Sequence, residues 1–152
     1  MKEPRKLDDI RDGIDTVIKY PDMKALVIDV VNYLAKEFHE NAKNKGFWED
    51  LDGMLNELPF KYHQRLELMA ISEKLLLINT EISELYEGIR DPKLSDAMDH
   101  HCPDFTNFEI EVADIIYRTL DLAKRFHLRI GEALIAKHEF NKTREYKHGK
   151  KS

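Results

Sequence analysis

KYHQRLELMAISEKLLLINTEISELYEGI, residues 61–89, is the stretch on which the fold turns. Its apolar residues recur at three- and four-residue steps, no proline interrupts it, and its only glycine is Gly88, with Pro92 just beyond. That pattern predicts one long helix from about Lys61 to Ile89. The same periodicity predicts a helix over Met23–Lys43, through Leu26, Val27, Val30, Val31, Leu34 and Phe38, with Asp22 as N-cap and Gly46 as its end. Two more helices are predicted over Thr106–Phe126 and Ile130–Tyr146. Phe47–Pro59 reads as a loop with at most a short helical turn, and Arg90–Pro103 as a polar connector. No hairpin signal is present. The expected fold is all-α and four-helix-bundle-like, a single domain over residues 1–152 with its motif core at 61–146 and a basic tail at 147–152.

Composition narrows the function. The chain is 42% hydrophobic and 35% charged, an ordinary soluble balance, and 152 residues suffice for one core. A net charge of −5 argues against nucleic acid as the main partner but leaves room for a small anion at a local basic site. The densest apolar run, ALVIDVVNYLA, is broken by Asp29 and Asn32, so no membrane span is expected. The opening MKEPRKLDDIRD lacks the apolar stretch of a secretory signal, and the single Cys102 suits a reducing compartment. A cytoplasmic location is the expectation.

Chemistry enters through the acids. Glu81 and Glu84 lie three residues apart in the second predicted helix, and Glu111 and Asp114 in the third. Such spacing puts both carboxylates of a pair on one face, about 4.5 Å apart along the axis. Spacing alone does not single them out, because Asp9/Asp12, Glu37/Glu40 and Asp96/Asp99 share it. Phase does. Glu81 has Leu77, Ile78 and Leu85 one turn away, Glu111 lies between Phe108 and Ile115, and Asp114 between Ile110 and Tyr117. Carboxylates on an apolar stripe are costly without compensation. Either a cation sits among them, in an all-oxygen cage that selects a hard divalent ion such as Mg²⁺, or they roll to an edge and pair with Lys74 and Arg118. Lys137, Asn141 and Arg144, at steps of four and three, give the fourth helix a face suited to phosphate oxygens; the plainer reading is that cations there complement the helix dipole.

The ordered set Glu-x-x-Glu, connector, Glu-x-x-Asp, then Lys-x-x-x-Asn-x-x-Arg resembles the MazG-like, all-α nucleoside triphosphate pyrophosphohydrolase superfamily. The residues that carry it read EISELYEGIR, EVADIIYRTLDLAKRF and IGEALIAKHEFNKTRE, within about Glu73–Glu145. The resemblance implies Glu81, Glu84, Glu111 and Asp114 as Mg²⁺ ligands and catalytic acids, with Mn²⁺ a possible substitute. It implies Lys137, Asn141 and Arg144 as the grip on the phosphate tail. The implied reaction converts a nucleoside triphosphate to the monophosphate and pyrophosphate, often to remove unwanted nucleotides, in a homodimer or homotetramer. Two departures stand out: Phe126-His127-Leu128 occupies a bend where many relatives place Gly, and the connector is fairly long. Asn44-Lys45-Gly46-Phe47-Trp48 is similar to a Lys-Gly-Phe-Trp stretch in some relatives, which makes Lys45 and Trp48 candidates for base binding. Trp48 reads equally as a loop anchor packed in the core.

Other chemistries fit less well. His100-His101-Cys102 lacks the paired spacing of a structural zinc site and reads as a mobile loop, or a lid. A di-iron carboxylate bundle needs Glu-x-x-His on two helices, and only Glu145/His148 supplies one. The rival from another class is a non-catalytic helical module whose charged faces are interfaces. Within the enzyme class, an all-α dUTPase and a phosphoribosyl-ATP pyrophosphatase would use the same acids.

Overall fold

The computed structural model describes residues 21–91 and 97–145. The Asp9/Asp12 pair, Pro92, Asp96 and the basic tail lie outside them, as does Tyr146 at the expected end of the last helix. Among the described residues the fold is all-α: five helices and a 3-10 turn, with only an isolated bridge, Met98 to Thr106, in extended pairing. None of these helices is long and apolar enough to cross a membrane.

Helix α1 spans Pro21–Asn44. Asp22 lies inside it and so is not its N-cap. Its end is set by Gly46, whose φ of +83° is a conformation glycine adopts without a Cβ penalty. Phe47 N–H then donates to Ala42 C=O at 3.1 Å and Gly46 N–H to Lys43 C=O at 3.0 Å, the paired closure of a Schellman motif.

Helix α2, Glu49–Glu57, replaces most of the expected loop. Glu49, Asp50 and Asp52 stand in its first turn, where negative charge suits the helix dipole. Leu51 and Leu55, one turn apart, supply its short apolar face against the core. Pro59 disfavours helical backbone at the preceding residue, and Leu58 is extended accordingly. A 3-10 turn over Phe60–Tyr62 leads into α3, His63–Arg90.

Helix α4, Asn107–Arg125, opens with a capping box: Glu109 N–H donates to Thr106 Oγ1 and Thr106 N–H to the Glu109 carboxylate. It closes without a glycine. His127 takes φ +53° instead, the left-handed region in which His is among the more tolerated residues. Helix α5 runs over Ile130–Lys142 and stops short of the expected end, so Arg144 lies beyond the helix in the following turn.

The chain divides into two compact units, one of residues 35–127 and one of 1–34 with 128–152. In the first, α3 and α4 make the most extensive helix contact. Its core joins Ala42, Trp48, Leu51 and Ala70, flanked by Leu55, Leu66, Leu122 and Phe126. In the second, α5 approaches the first part of α1 closely at Gly131, where a Cβ would sit 2.8 Å from the Ile28 carbonyl oxygen. Asn32 Oδ1 accepts from Gly131 N–H at 3.2 Å, and Lys24 pairs with Glu139 at 2.9 Å. Thus Asn32, which breaks the apolar run of α1, meets a free donor at the start of α5.

Candidate metal centre

Helices α3 and α4 bring three of the four motif acids together. Glu81, Glu84 and Glu111 each offer a carboxylate oxygen, and these oxygens lie within 4.8 Å of one another. Glu81 is buried, Glu111 half-buried and Glu84 exposed. Their convergence follows from the sequence: the turn spacing aligns Glu81 with Glu84, and the shared apolar seam sets α4 against that face.

The electrostatics of the trio are strained. Arg118 Nε lies 2.6 Å from Glu81 Oε1, which gives the buried carboxylate a counter-charge. The contact is an ion pair only, because Nε is not aligned to donate a hydrogen bond. Glu111 Oε2 is buried with no partner. Burial pushes the Glu111 carboxyl above the usual range, and the charges of Glu84, Glu81, Asp114 and Asp99 push it further. Asp114 stands outside the trio. Its carboxyl is raised first by desolvation and then by Glu81, against a downward pull from Arg118.

A divalent cation fits this donor set. All three ligand atoms are hard oxygens, and Glu111 contributes a buried carboxylate oxygen with no hydrogen-bond partner. Around Mg²⁺ adjacent oxygens stand about 2.9 Å apart and opposite ones about 4.2 Å, so the trio would draw together on taking the ion, and exposed Glu84 has room to move. Of the two cations that could have neutralised the acids instead, only Arg118 does so. Lys74 donates to the Phe47 carbonyl at 2.9 Å and lies 4.9 Å from the centre of the Trp48 ring.

A cavity of about 180 Å³ adjoins the acids through Asp114 and Arg118. Asn41, Phe47, Lys74, Leu77 and Tyr117 help to line it, giving an apolar floor with amide, hydroxyl and cationic groups at its rim. Asp121 also lines it, a residue the sequence reading missed. It lies seven residues after Asp114 and therefore on the same helix face, which was the available signal.

Trp48 is core. It is 1% exposed, with Lys74 and Arg125 over its ring at 4.9 and 5.3 Å, and no face is free for a base. Lys45 is exposed in the turn after α1. Lys137 and Arg144 lie against the Phe140 ring at 5.1 and 5.9 Å, and Asn141 is exposed nearby in sequence; all three belong to the other unit. The His100-His101-Cys102 segment is a tight turn: Asp99 Oδ1 accepts from His101 N–H at 2.9 Å and Cys102 N–H at 2.7 Å. Those bonds, Cys102 first, hold the Asp99 carboxyl below its usual range.

No family model, curated protein or solved structure matches the chain.

Proposed function

We propose that this protein is a Mg²⁺-dependent nucleoside triphosphate pyrophosphohydrolase of the MazG-like kind, hydrolysing its substrate to the monophosphate and pyrophosphate. The observation that carries the reading is the trio Glu81, Glu84 and Glu111, whose ligand oxygens lie within 4.8 Å of one another and one of whose members, Glu111, has a buried carboxylate oxygen with no hydrogen-bond partner. Arg118 compensates Glu81, and a bound cation would compensate the charge that Glu84 and Glu111 add beside it.

Glu81, Glu84 and Glu111 would hold the ion, and Asp114 would complete or adjust the set. A bound divalent ion supplies charge neutralisation for the triphosphate and polarises the phosphoryl group under attack. The chain's own groups do the rest. Arg118 fixes Glu81, and the cavity beside them offers Leu77 and Phe47 to a base, with Asn41 and Tyr117 as hydrogen-bonding groups. Lys137, Asn141 and Arg144, which the resemblance implies as the grip on a phosphate tail, belong to the other unit and are left as that implication alone. The nucleotide-pool role, cytoplasmic location and oligomeric working form belong to the same proposal.

The test is pyrophosphate release from a panel of ribo- and deoxynucleoside triphosphates, with dUTP and phosphoribosyl-ATP included, in Mg²⁺ and in chelator. Metal-dependent release supports the reading, and the ranking names the substrate. The Glu81–Arg118 pair favours the second reading, a non-catalytic helical module whose ion pairs are indifferent to Mg²⁺. Absence of release from every substrate, with no effect of Mg²⁺ on stability, would establish that alternative.

A further inference from the structure

The arginine beside Glu81 leaves its donors unused. Arg118 Nε lies 2.6 Å from Glu81 Oε1, yet that N–H is buried and has no hydrogen-bond partner. Among the described residues the side chain makes no other ion pair and no hydrogen bond. A guanidinium carries five N–H donors in a fixed fork, and a carboxylate in good register accepts two of them. Arg118 therefore neutralises Glu81 without gripping it. Glu81 is buried, whereas 38% of the Arg118 side chain is exposed. The same side chain lines the cavity of about 180 Å³ beside the acids. Lys74, the other cation on that lining, is engaged with the Phe47 carbonyl and the Trp48 ring.

We propose that Arg118 is the phosphate-binding residue of this site, held beside Glu81 until Glu81 is engaged as a metal ligand. The assignment rests on the proposed metal centre and names the group that meets the substrate's charge there. In the metal-free site the guanidinium supplies the counter-charge of a buried carboxylate, which is costly to leave alone. Once Glu81 is shared with a divalent ion, its pull on Arg118 weakens and like charge repels the guanidinium. Its open fork then suits a phosphate, whose oxygens it can meet two at a time. Two carboxylates share the cavity lining. Asp121 already accepts from Trp48 Nε1 at 2.9 Å, while Asp114 repels anions from the metal-free site. Phosphate is thereby admitted after the ion rather than before it.

The test is calorimetric titration of the full chain with Mg²⁺ alone, and with inorganic pyrophosphate in saturating Mg²⁺ or in chelator. Arg118→Gln should bind Mg²⁺ at least about tenfold more tightly than wild type, because a competing cation is gone. With Mg²⁺ present it should bind pyrophosphate about 10- to 100-fold more weakly, the loss of a charge-assisted bond. Arg118→Lys keeps the charge but not the fork, so its Mg²⁺ affinity should stay near wild type and its pyrophosphate affinity should fall between the two. In chelator, Glu81→Gln should bind pyrophosphate at least about fivefold more tightly than wild type, and Glu81→Gln/Arg118→Gln should lose that gain. Absence of Mg²⁺ binding in wild type would overturn the metal centre, and the exchange with it. Mg²⁺ binding in wild type with equal or weaker Mg²⁺ affinity in Arg118→Gln, or with unchanged pyrophosphate affinity, would overturn the exchange alone. So would a gain in Glu81→Gln that survives without Arg118. If Arg118→Gln loses its far-ultraviolet helicity, Arg118→Lys decides, and pyrophosphate affinity equal to wild type overturns the assignment.

Discussion

Trp48 Nε1 donates to Asp121 Oδ1 at 2.9 Å, joining the loop after α1 to the inside of α4 through two buried side chains. His39 Nδ1 lies 2.7 Å from the same oxygen, and an ionised carboxylate only accepts, so Nδ1 carries the proton. Asp121→Ala leaves a buried indole N–H unsatisfied and should cost about 2–4 kcal/mol. Asp121→Asn keeps one acceptor oxygen and should cost about half as much. Trp48 is the only tryptophan, so urea unfolding followed by its fluorescence reports on this site alone. Equal stability of Asp121→Ala and wild type would remove the bond from any structural role.

His127 closes α4 in the left-handed region at φ +53°. That conformation costs about 1–2 kcal/mol for a residue with a Cβ, while glycine costs about 0.4–1 kcal/mol through the unfolded chain. The first effect wins. His127→Gly should stabilise by about 0.5–1 kcal/mol, and His127→Val should destabilise, as read from thermal midpoints.

Gly131→Ala sets two effects against each other. Alanine favours helix by about 1 kcal/mol, but its Cβ would stand 2.8 Å from the Ile28 carbonyl oxygen, a backbone atom with no freedom to yield. A net loss of about 1–2 kcal/mol is expected in denaturant titration, and a gain would mean that α5 does not lie this close to α1.

Metal should stabilise the trio. At Mg²⁺ one hundred times its dissociation constant the gain is about 2.7 kcal/mol, and the thermal midpoint should rise by several degrees. Glu84 is exposed, so Glu84→Gln should leave the metal-free midpoint nearly unchanged while abolishing the rise. Pyrophosphate release should fall by more than about 100-fold. A persistent Mg²⁺ shift in this variant would place the ion elsewhere.

Glu111 gives a pH signature in chelator. Its carboxyl is raised in the folded state, by burial first, so its contribution is fully present below the ordinary glutamate range near pH 4 and is lost as pH rises through the raised value. Glu111→Gln stays neutral throughout. Without metal it should match wild type near pH 4 and exceed it near pH 7.5, by urea midpoint; the opposite order would mean that the carboxylate is stabilised there.

The long helices were legible because their apolar residues recur over many turns. Helix α2 was not, because nine residues offer only Leu51, Met54 and Leu55 to reveal a period, and its acidic first turn resembles a loop. Arg144 extended a face in sequence that the backbone does not extend, since α5 ends at Lys142. At the candidate site, phase against the apolar stripe picked out Glu81, Glu111 and Asp114, with Glu84 entering only as the three-residue partner of Glu81, whereas the structure gathers Glu81, Glu84 and Glu111. Pairing across helices was beyond it. That Arg118 takes Glu81 while Lys74 turns to Phe47 and Trp48 depends on the register between elements, which no single helix encodes.

The bond from Gly131 N–H to Asn32 spans 99 residues of chain, and the Lys24–Glu139 pair spans 115. Contacts of such reach close only after the entropy of the intervening loop has been surrendered, whereas the turns of α3 and α4 can wind locally. During synthesis Asn32 emerges long before its partner. The start of α5 should therefore be among the last places to gain protection in a pulse-labelled hydrogen-exchange experiment, and the N-terminal half of α1 should wait for it.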